Sequence, residues 1–118
     1  MARATAVTNT VIYGPNVGGE VTANAVTAST AFYVEADQLD ERTVFVYTPG
    51  SASGAITVAA GTGYAGTKDL TIDAAKADTG YAFTLDSARY AIASGENAGL
   101  IKFTPTKTGT FAVIQPKV

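Results

Sequence analysis

Residues 43–59 read TVFVYTPGSASGAITVA, and this stretch decides the fold. Its two ends, 43–48 and 55–59, alternate β-branched or aromatic residues with their neighbours at the period of two that a pleated strand requires. The segment between them, 49–54, contains only Pro, Gly, Ser and Ala, which suit a turn. The stretch therefore predicts two short strands joined by a turn.

The same pattern continues in both directions along the chain. Segments of this kind recur roughly every ten residues and are separated by Gly, Pro, Asn or Ser. The predicted strands are residues 5–13, 21–27, 31–35, 43–48, 55–59, 70–72, 81–85, 100–104 and 110–114. Residues 73–78 and 86–90 could each form one helical turn, too short to stand alone. The pattern predicts an all-β fold, an antiparallel β-sandwich of immunoglobulin-like or related type, with eight or nine short strands and at most one or two short helical turns.

Alternation within the strands predicts which side chains form the core. The predicted core residues are Val11, Phe32, Val34, Val44, Val46, Ile56, Val58, Leu70, Ile72, Phe83, Leu85, Ile101, Phe103, Phe111 and Val113. A chain of 118 residues fits one domain, which we place at residues 13–118. Residues 1–12 are either an N-terminal arm or the first strand, because the segment is polar enough to stay extended and apolar enough to pair.

The composition argues against an enzyme and for a binding protein. The chain has no His, Cys or Trp, which removes the side chain that titrates near neutral pH, the thiolate nucleophile and the usual zinc ligands. Charged residues make up 15% and the net charge is −2, so we expect no nucleic-acid partner. Because no apolar run has the length of a signal peptide or a membrane span, we expect no membrane partner and a protein that folds in a cytosol or leaves it by a route other than a cleaved signal.

One acidic cluster could suggest a metal. Glu35, Asp37, Asp40 and Glu41 provide the oxygen ligands that calcium prefers. Their spacing fits no calcium loop known to us, and Arg42 follows directly. We therefore predict a solvated loop, no metal site and no cofactor.

Six residues are candidates for contact with a partner protein. Tyr64 and Tyr90 lie in predicted turns and carry amphipathic rings that suit an interface. Arg89 precedes Tyr90, and its guanidinium group carries five N–H donors. We predict that residues 86–90 mainly stabilise the fold. The other three candidates belong to the N-terminal segment, which could add a strand to a neighbour. They are Arg3, Thr5 and Val7.

From Phe32 onward the chain resembles the small head-decoration proteins of tailed bacteriophages. The features that carry the resemblance appear in order along about 85 residues. They are the strand 32–34, the acidic turn 37–42, the apolar strand 44–47, a Gly/Ser turn, a strand ending in 59–61, the short strand 70–72, the block 83–90 with its small-residue–Arg–aromatic element, and the final strands 99–103 and 109–114.

The resemblance implies a capsid cement protein. Such a protein would be a β-sandwich on the exterior of the virion that binds the major capsid protein, bridges neighbouring capsomers and resists the pressure of packaged DNA. It also implies a homotrimer at threefold positions and synthesis in the host bacterial cytoplasm.

Two other function classes stay open. A tail or fibre β-sandwich module could bind carbohydrate through Tyr64 and the acidic loop. A glycosidase would need paired carboxylates, and the chain shows none in a recognisable setting. Both are weaker fits to the residues than the decoration protein.

Overall fold

The computed structural model describes residues 6–7, 10–13, 18–35, 43–50, 53–61, 68–85, 90–92 and 97–117. Within these ranges the chain is all-β, and nine strands form two packed sheets. The strands are β1 (Thr10–Tyr13), β2 (Asn24–Val26), β3 (Phe32–Glu35), β4 (Val44–Pro49), β5 (Gly54–Val58), β6 (Leu70–Ala74), β7 (Tyr81–Phe83), β8 (Leu100–Pro105) and β9 (Gly109–Lys117). The predicted sandwich is confirmed, and every strand overlaps a predicted segment. No helix in these ranges has both the length and the apolar character to cross a membrane.

The two sheets have different strand orders. The first sheet runs β1–β9–β4–β7, and β2 also pairs with β9. The second sheet runs β3–β8–β5–β6. All pairings are antiparallel except that of β1 with β9. Since β2 pairs with residues 109–111 and β1 with residues 114–117, the two short strands share one side of the long strand β9.

Five phenylalanines form the centre of the core between the sheets. Phe45, Phe83 and Phe111 come from the first sheet, and Phe32 and Phe103 from the second. The contacting rings have centroids 4.7 to 6.4 Å apart, mostly in tilted pairs. Such contacts add to the free energy gained by burying the rings. Aliphatic side chains complete the core, among them Val34, Ile56, Val58, Ile101 and Val113.

The predicted facing of β4 is wrong. Val44 and Val46 were expected in the core, but both point outward and are only half-buried. Phe45 and Tyr47 are the buried residues, at 1% and 0% exposure. Two aromatic rings bury far more apolar surface than two valines, and the hydroxyl of Tyr47 donates a 2.7 Å hydrogen bond to the carbonyl of Lys107.

Most other predicted core positions are confirmed. The buried ones are Val34, Ile56, Val58, Leu85, Ile101, Phe103, Phe111 and Val113. Four more are half-buried and pack against the core, namely Phe32, Leu70, Ile72 and Phe83. Val11 is half-buried. The possible helical turn at 73–78 does not form, because β6 continues through Ala74 and a turn follows it.

Two connections of similar sequence cross from one sheet to the other. Residues 47–54 read YTPGSASG and residues 103–109 read FTPTKTG, so each has an aromatic residue, Thr-Pro, a turn and a glycine that begins the next strand. We call them the first and second arch. The first arch leads from β4 to β5, and the second leads from β8 to β9. Because β4 pairs with β9 and β5 with β8, the two arches lie side by side.

Each arch fits against the glycine of the other. A Cβ at Gly109 would collide with the carbonyl oxygen of Thr48, and a Cβ at Gly54 would lie 2.9 Å from Cγ of Lys107. The amide of Gly50 donates to the carbonyl of Thr108 at 2.9 Å. The arches are therefore mutually fitted, and the glycines are required by space.

Left-handed residues complete this end of the sandwich. Ser29 and Asp78 have φ angles of 58° and 57°, which side-chain-bearing residues seldom adopt. Their amides donate 2.7 Å hydrogen bonds to the carbonyls of Pro105 and Pro49, the prolines that end β8 and β4. These bonds hold the turns before β3 and β7 against the two arches.

The N-terminal segment contacts both sheets. Ala6 forms a parallel bridge with Tyr33, and the amide of Val7 donates to the carbonyl of Tyr33 at 2.9 Å. A few residues later, β1 pairs with β9 in the other sheet. The segment thus passes from the edge of the second sheet to the edge of the first.

Candidate protein-binding face

The outward side of the first sheet carries no charge among the side chains that the structure describes. Since Phe45, Tyr47, Phe111 and Val113 point into the core, the residues between them point out. The positions on this side are Thr10, Ala25, Val44, Val46, Thr48, Ala82, Thr110, Ala112 and Ile114. Thr10 and Ala112 are buried, at 7% and 8% exposure, and the others are half-buried or exposed. We call this surface the uncharged face.

The centre of the uncharged face is apolar and its ends are polar. Val46 stands between Ala112 of β9 and Ala82 of β7, and Val44 stands opposite Ile114. Threonines flank this centre at both ends of the strands, and the hydroxyl of Thr10 accepts a 3.0 Å hydrogen bond from the amide of Thr22. An apolar centre within a polar rim is the usual arrangement of a protein–protein interface.

The outward side of the second sheet has a different chemistry. Tyr33 pairs with Lys102, and Asp73 pairs with Ala55. The other outward positions are Glu35, Thr57, Thr71 and Thr104, whereas Leu100 of β8 is fully buried. We call this surface the polar face. Lys102 is exposed. The charges of the two sheets, where described, therefore all lie on the polar face.

One described side chain has a shifted pKa. Burial raises the pKa of the Tyr47 hydroxyl above its usual 10.0, because the ionised form would lose its hydration in the core. The group therefore stays protonated at neutral pH and acts as a hydrogen-bond donor. Its role is structural, since it holds the second arch.

The structure describes two of the six residues predicted to contact a partner. Val7 and Tyr90 are half-buried and pack against the core cluster. The remaining four lie outside the described residues: Arg3, Thr5, Tyr64 and Arg89. A contact role for all six stays a prediction.

The acidic cluster falls mostly outside the described residues as well. Only Glu35 is described, on the polar face, whereas Asp37, Asp40 and Glu41 are not. Within the described ranges no group of three or more carboxylate side chains comes together in a way that could hold a metal.

Sequence reasoning missed the uncharged face, although a signal for it exists. Residues 44–47 and 111–114 are continuous apolar runs, which place apolar side chains on both sides of a strand. Such runs predict two-sided apolar strands but do not reveal that β4 and β9 are neighbours. Because β4 pairs with β9, the outward apolar side chains of the two strands form one surface.

Comparison with known proteins identified no relative of this chain. No protein-family model matches the chain, and neither the curated proteins nor the solved structures searched contain a match.

Proposed function

We propose that this protein is a non-enzymatic decoration protein that binds the outer surface of a tailed-phage head and stabilises it by bridging capsomers. The partner is the major capsid protein, and the place of action is the exterior of the virion. The observation that carries the proposal is the uncharged face, whose apolar centre keeps Val44, Val46 and Ile114 partly exposed. The resemblance of the sequence to phage head-decoration proteins is the reason for proposing a phage capsid as the bound surface.

The chemistry of the uncharged face suits contact with protein. Val44, Val46 and Ile114 offer apolar area, and the alanines beside them let a partner backbone come close. Covering these groups displaces water from apolar surface and desolvates no charge. The charged side chains of the polar face can remain in water and keep their hydration.

The size of the uncharged face limits what one copy can do. Four strand positions about 4.8 Å apart and five residues at about 3.4 Å each give a patch of roughly 300 Å². A standard stable interface covers about 800 Å² per partner. We therefore expect a single copy to bind weakly, and linked copies on a repeating shell to bind much more tightly. The trimer that the resemblance implies is one way to link them, and it stays a prediction.

A pair of matched variants tests the face. Val46→Glu places a carboxylate at the centre of the uncharged face, and Thr57→Glu places one at a similarly half-exposed, central position of the polar face. Binding to undecorated, expanded heads is measured by co-sedimentation. Val46→Glu should bind at least about tenfold more weakly than wild type, because the carboxylate would be buried without a partner.

Thr57→Glu should bind like wild type. Circular dichroism and thermal melting establish that both variants are folded. If both variants bind equally well, the uncharged face is not the contact surface. If only Thr57→Glu loses binding, the polar face has that role.

A further inference from the structure

The four outer edges of the two sheets differ in how they are protected against pairing with another chain. At the edge of the second sheet, β6 carries Asp73 and is preceded by Lys68 and Asp69, which is the usual protection by charge. The opposite edge, β3, is met by Ala6 and Val7. In the first sheet, β1 and β2 form one edge and β7 forms the other.

In the described structure the β7 edge is neither protected by charge nor covered by another segment. Residues 79–85 read TGYAFTL, with no charge, no Pro and a high β propensity. Within the described residues, β4 is the only strand that pairs with β7. Ala82 and Thr84 are exposed, while Tyr81 and Phe83 are half-buried although they pack against the core. The rings therefore retain exposed surface at this edge.

From these observations we propose that β7 pairs with β7 of a second copy in an antiparallel, twofold arrangement centred on Ala82. In that register Tyr81 of each copy stands opposite Phe83 of the other, and Ala82 stands opposite its own equivalent. Cross-strand aromatic pairs stabilise antiparallel strands, and small residues at the centre let the backbones meet. Residues 79–85 bring no like charges together in this register, as a twofold contact must avoid, and the nearest charges in sequence are Asp78 and Asp86 at the two ends of the segment.

The pairing has a consequence for the surface of the dimer. A twofold axis perpendicular to the first sheet joins the two sheets edge to edge, and both uncharged faces then point the same way. Ala82 belongs to the edge and to the face, so the two surfaces become continuous. The joined patch measures roughly 600 Å², close to a standard interface. This consequence for capsid binding rests on the proposed function, whereas the pairing itself does not.

Single-cysteine variants test the pairing directly, because the chain contains no cysteine. Ala82→Cys places a thiol at the proposed axis, where directly opposed Cβ atoms lie about 4.5–5.5 Å apart, near the range for a disulfide. Thr71→Cys is the matched control, since Thr71 is also exposed and outward on an edge strand. Under mild oxidation, Ala82→Cys should form covalent dimers at least about tenfold faster than Thr71→Cys.

Sedimentation equilibrium gives a second readout on the unmodified protein. Wild type should pass from the mass of one chain to that of two as its concentration rises, and Ala82→Lys should stay at one, because edge lysines block strand pairing. Thr71→Lys should behave like wild type. Equal oxidation rates for the two cysteine variants, a wild-type mass of one chain throughout, or a mass of three chains would each overturn the proposal, and a mass of three chains would instead favour the trimer that the resemblance implies. No capsid is present in either experiment, so its outcome is independent of the proposed function.

Discussion

Tyr47 combines apolar burial with one hydrogen bond. Its ring lies among the core residues, and its hydroxyl reaches the backbone carbonyl of Lys107, sixty positions further along the chain. This bond joins β4 to the second arch. A phenylalanine would fill the same space but would leave the carbonyl without this donor.

Tyr47→Phe should change both the stability and its pH dependence. At pH 7 we expect the variant to be less stable by about 1 kcal/mol, because the hydrogen bond is lost. The folded-state pKa of Tyr47 lies above the unfolded value of 10.0, so raising the pH above about 10 ionises the unfolded chain first and lowers the free energy of unfolding. Removing the hydroxyl removes this contribution.

Urea unfolding at several pH values from 7 to about 11 measures the effect. The loss of stability above about pH 10 should be smaller in Tyr47→Phe than in wild type. The two proteins differ only in this hydroxyl, so all other contributions to the pH dependence cancel in the comparison. Parallel curves for the two proteins would show that Tyr47 does not contribute to alkaline destabilisation.

The two arches make the sandwich depend on close backbone contact between segments that are distant in sequence. Gly109 of the second arch lies directly against Thr48 of the first, with no space for a side chain. Gly54 is confined in turn by Thr106 and Lys107. Substitution at Gly109 must therefore separate β4 from β9 or distort the turn.

Gly109→Ala should destabilise the fold by at least about 2 kcal/mol, because the added methyl group overlaps backbone atoms that cannot move independently. Gly18→Ala is the control, since a Cβ there has nothing within 4 Å. That variant should stay within about 0.5 kcal/mol of wild type. Thermal and urea unfolding of the three proteins compare the costs, and equal stability of the two variants would contradict the fitted arrangement of the arches.

The strands could be predicted from the sequence because period and turn residues are local. The facing of β4 could not, since residues 44–47 are apolar at every position and alternation then carries no information on direction. The facing of β4 is decided by the size of the Phe45 and Tyr47 rings and by the carbonyl of Lys107, which lies in a distant turn and accepts the Tyr47 hydrogen bond. The uncharged face and the β7 edge also depend on strand order, which local patterns do not encode.

The sandwich as a whole presents two unlike surfaces on its two sheets. Val44, Val46 and Ile114 give the first sheet an apolar outer surface, whereas Lys102 and Asp73 keep the second sheet polar. A molecule built this way can lie on another protein with one side and face water with the other. We expect the uncharged face to lie toward the capsid and the polar face to form the outer surface of the decorated head.

The most direct measurement is co-sedimentation of the wild-type protein with undecorated, expanded heads at low salt and at roughly molar salt. Because the uncharged face offers no ion pairs for salt to screen, we expect similar amounts of protein to pellet with the heads in both conditions. Binding that disappears only at high salt would contradict the role given to the uncharged face. Absence of binding in both conditions would contradict the assignment to the capsid.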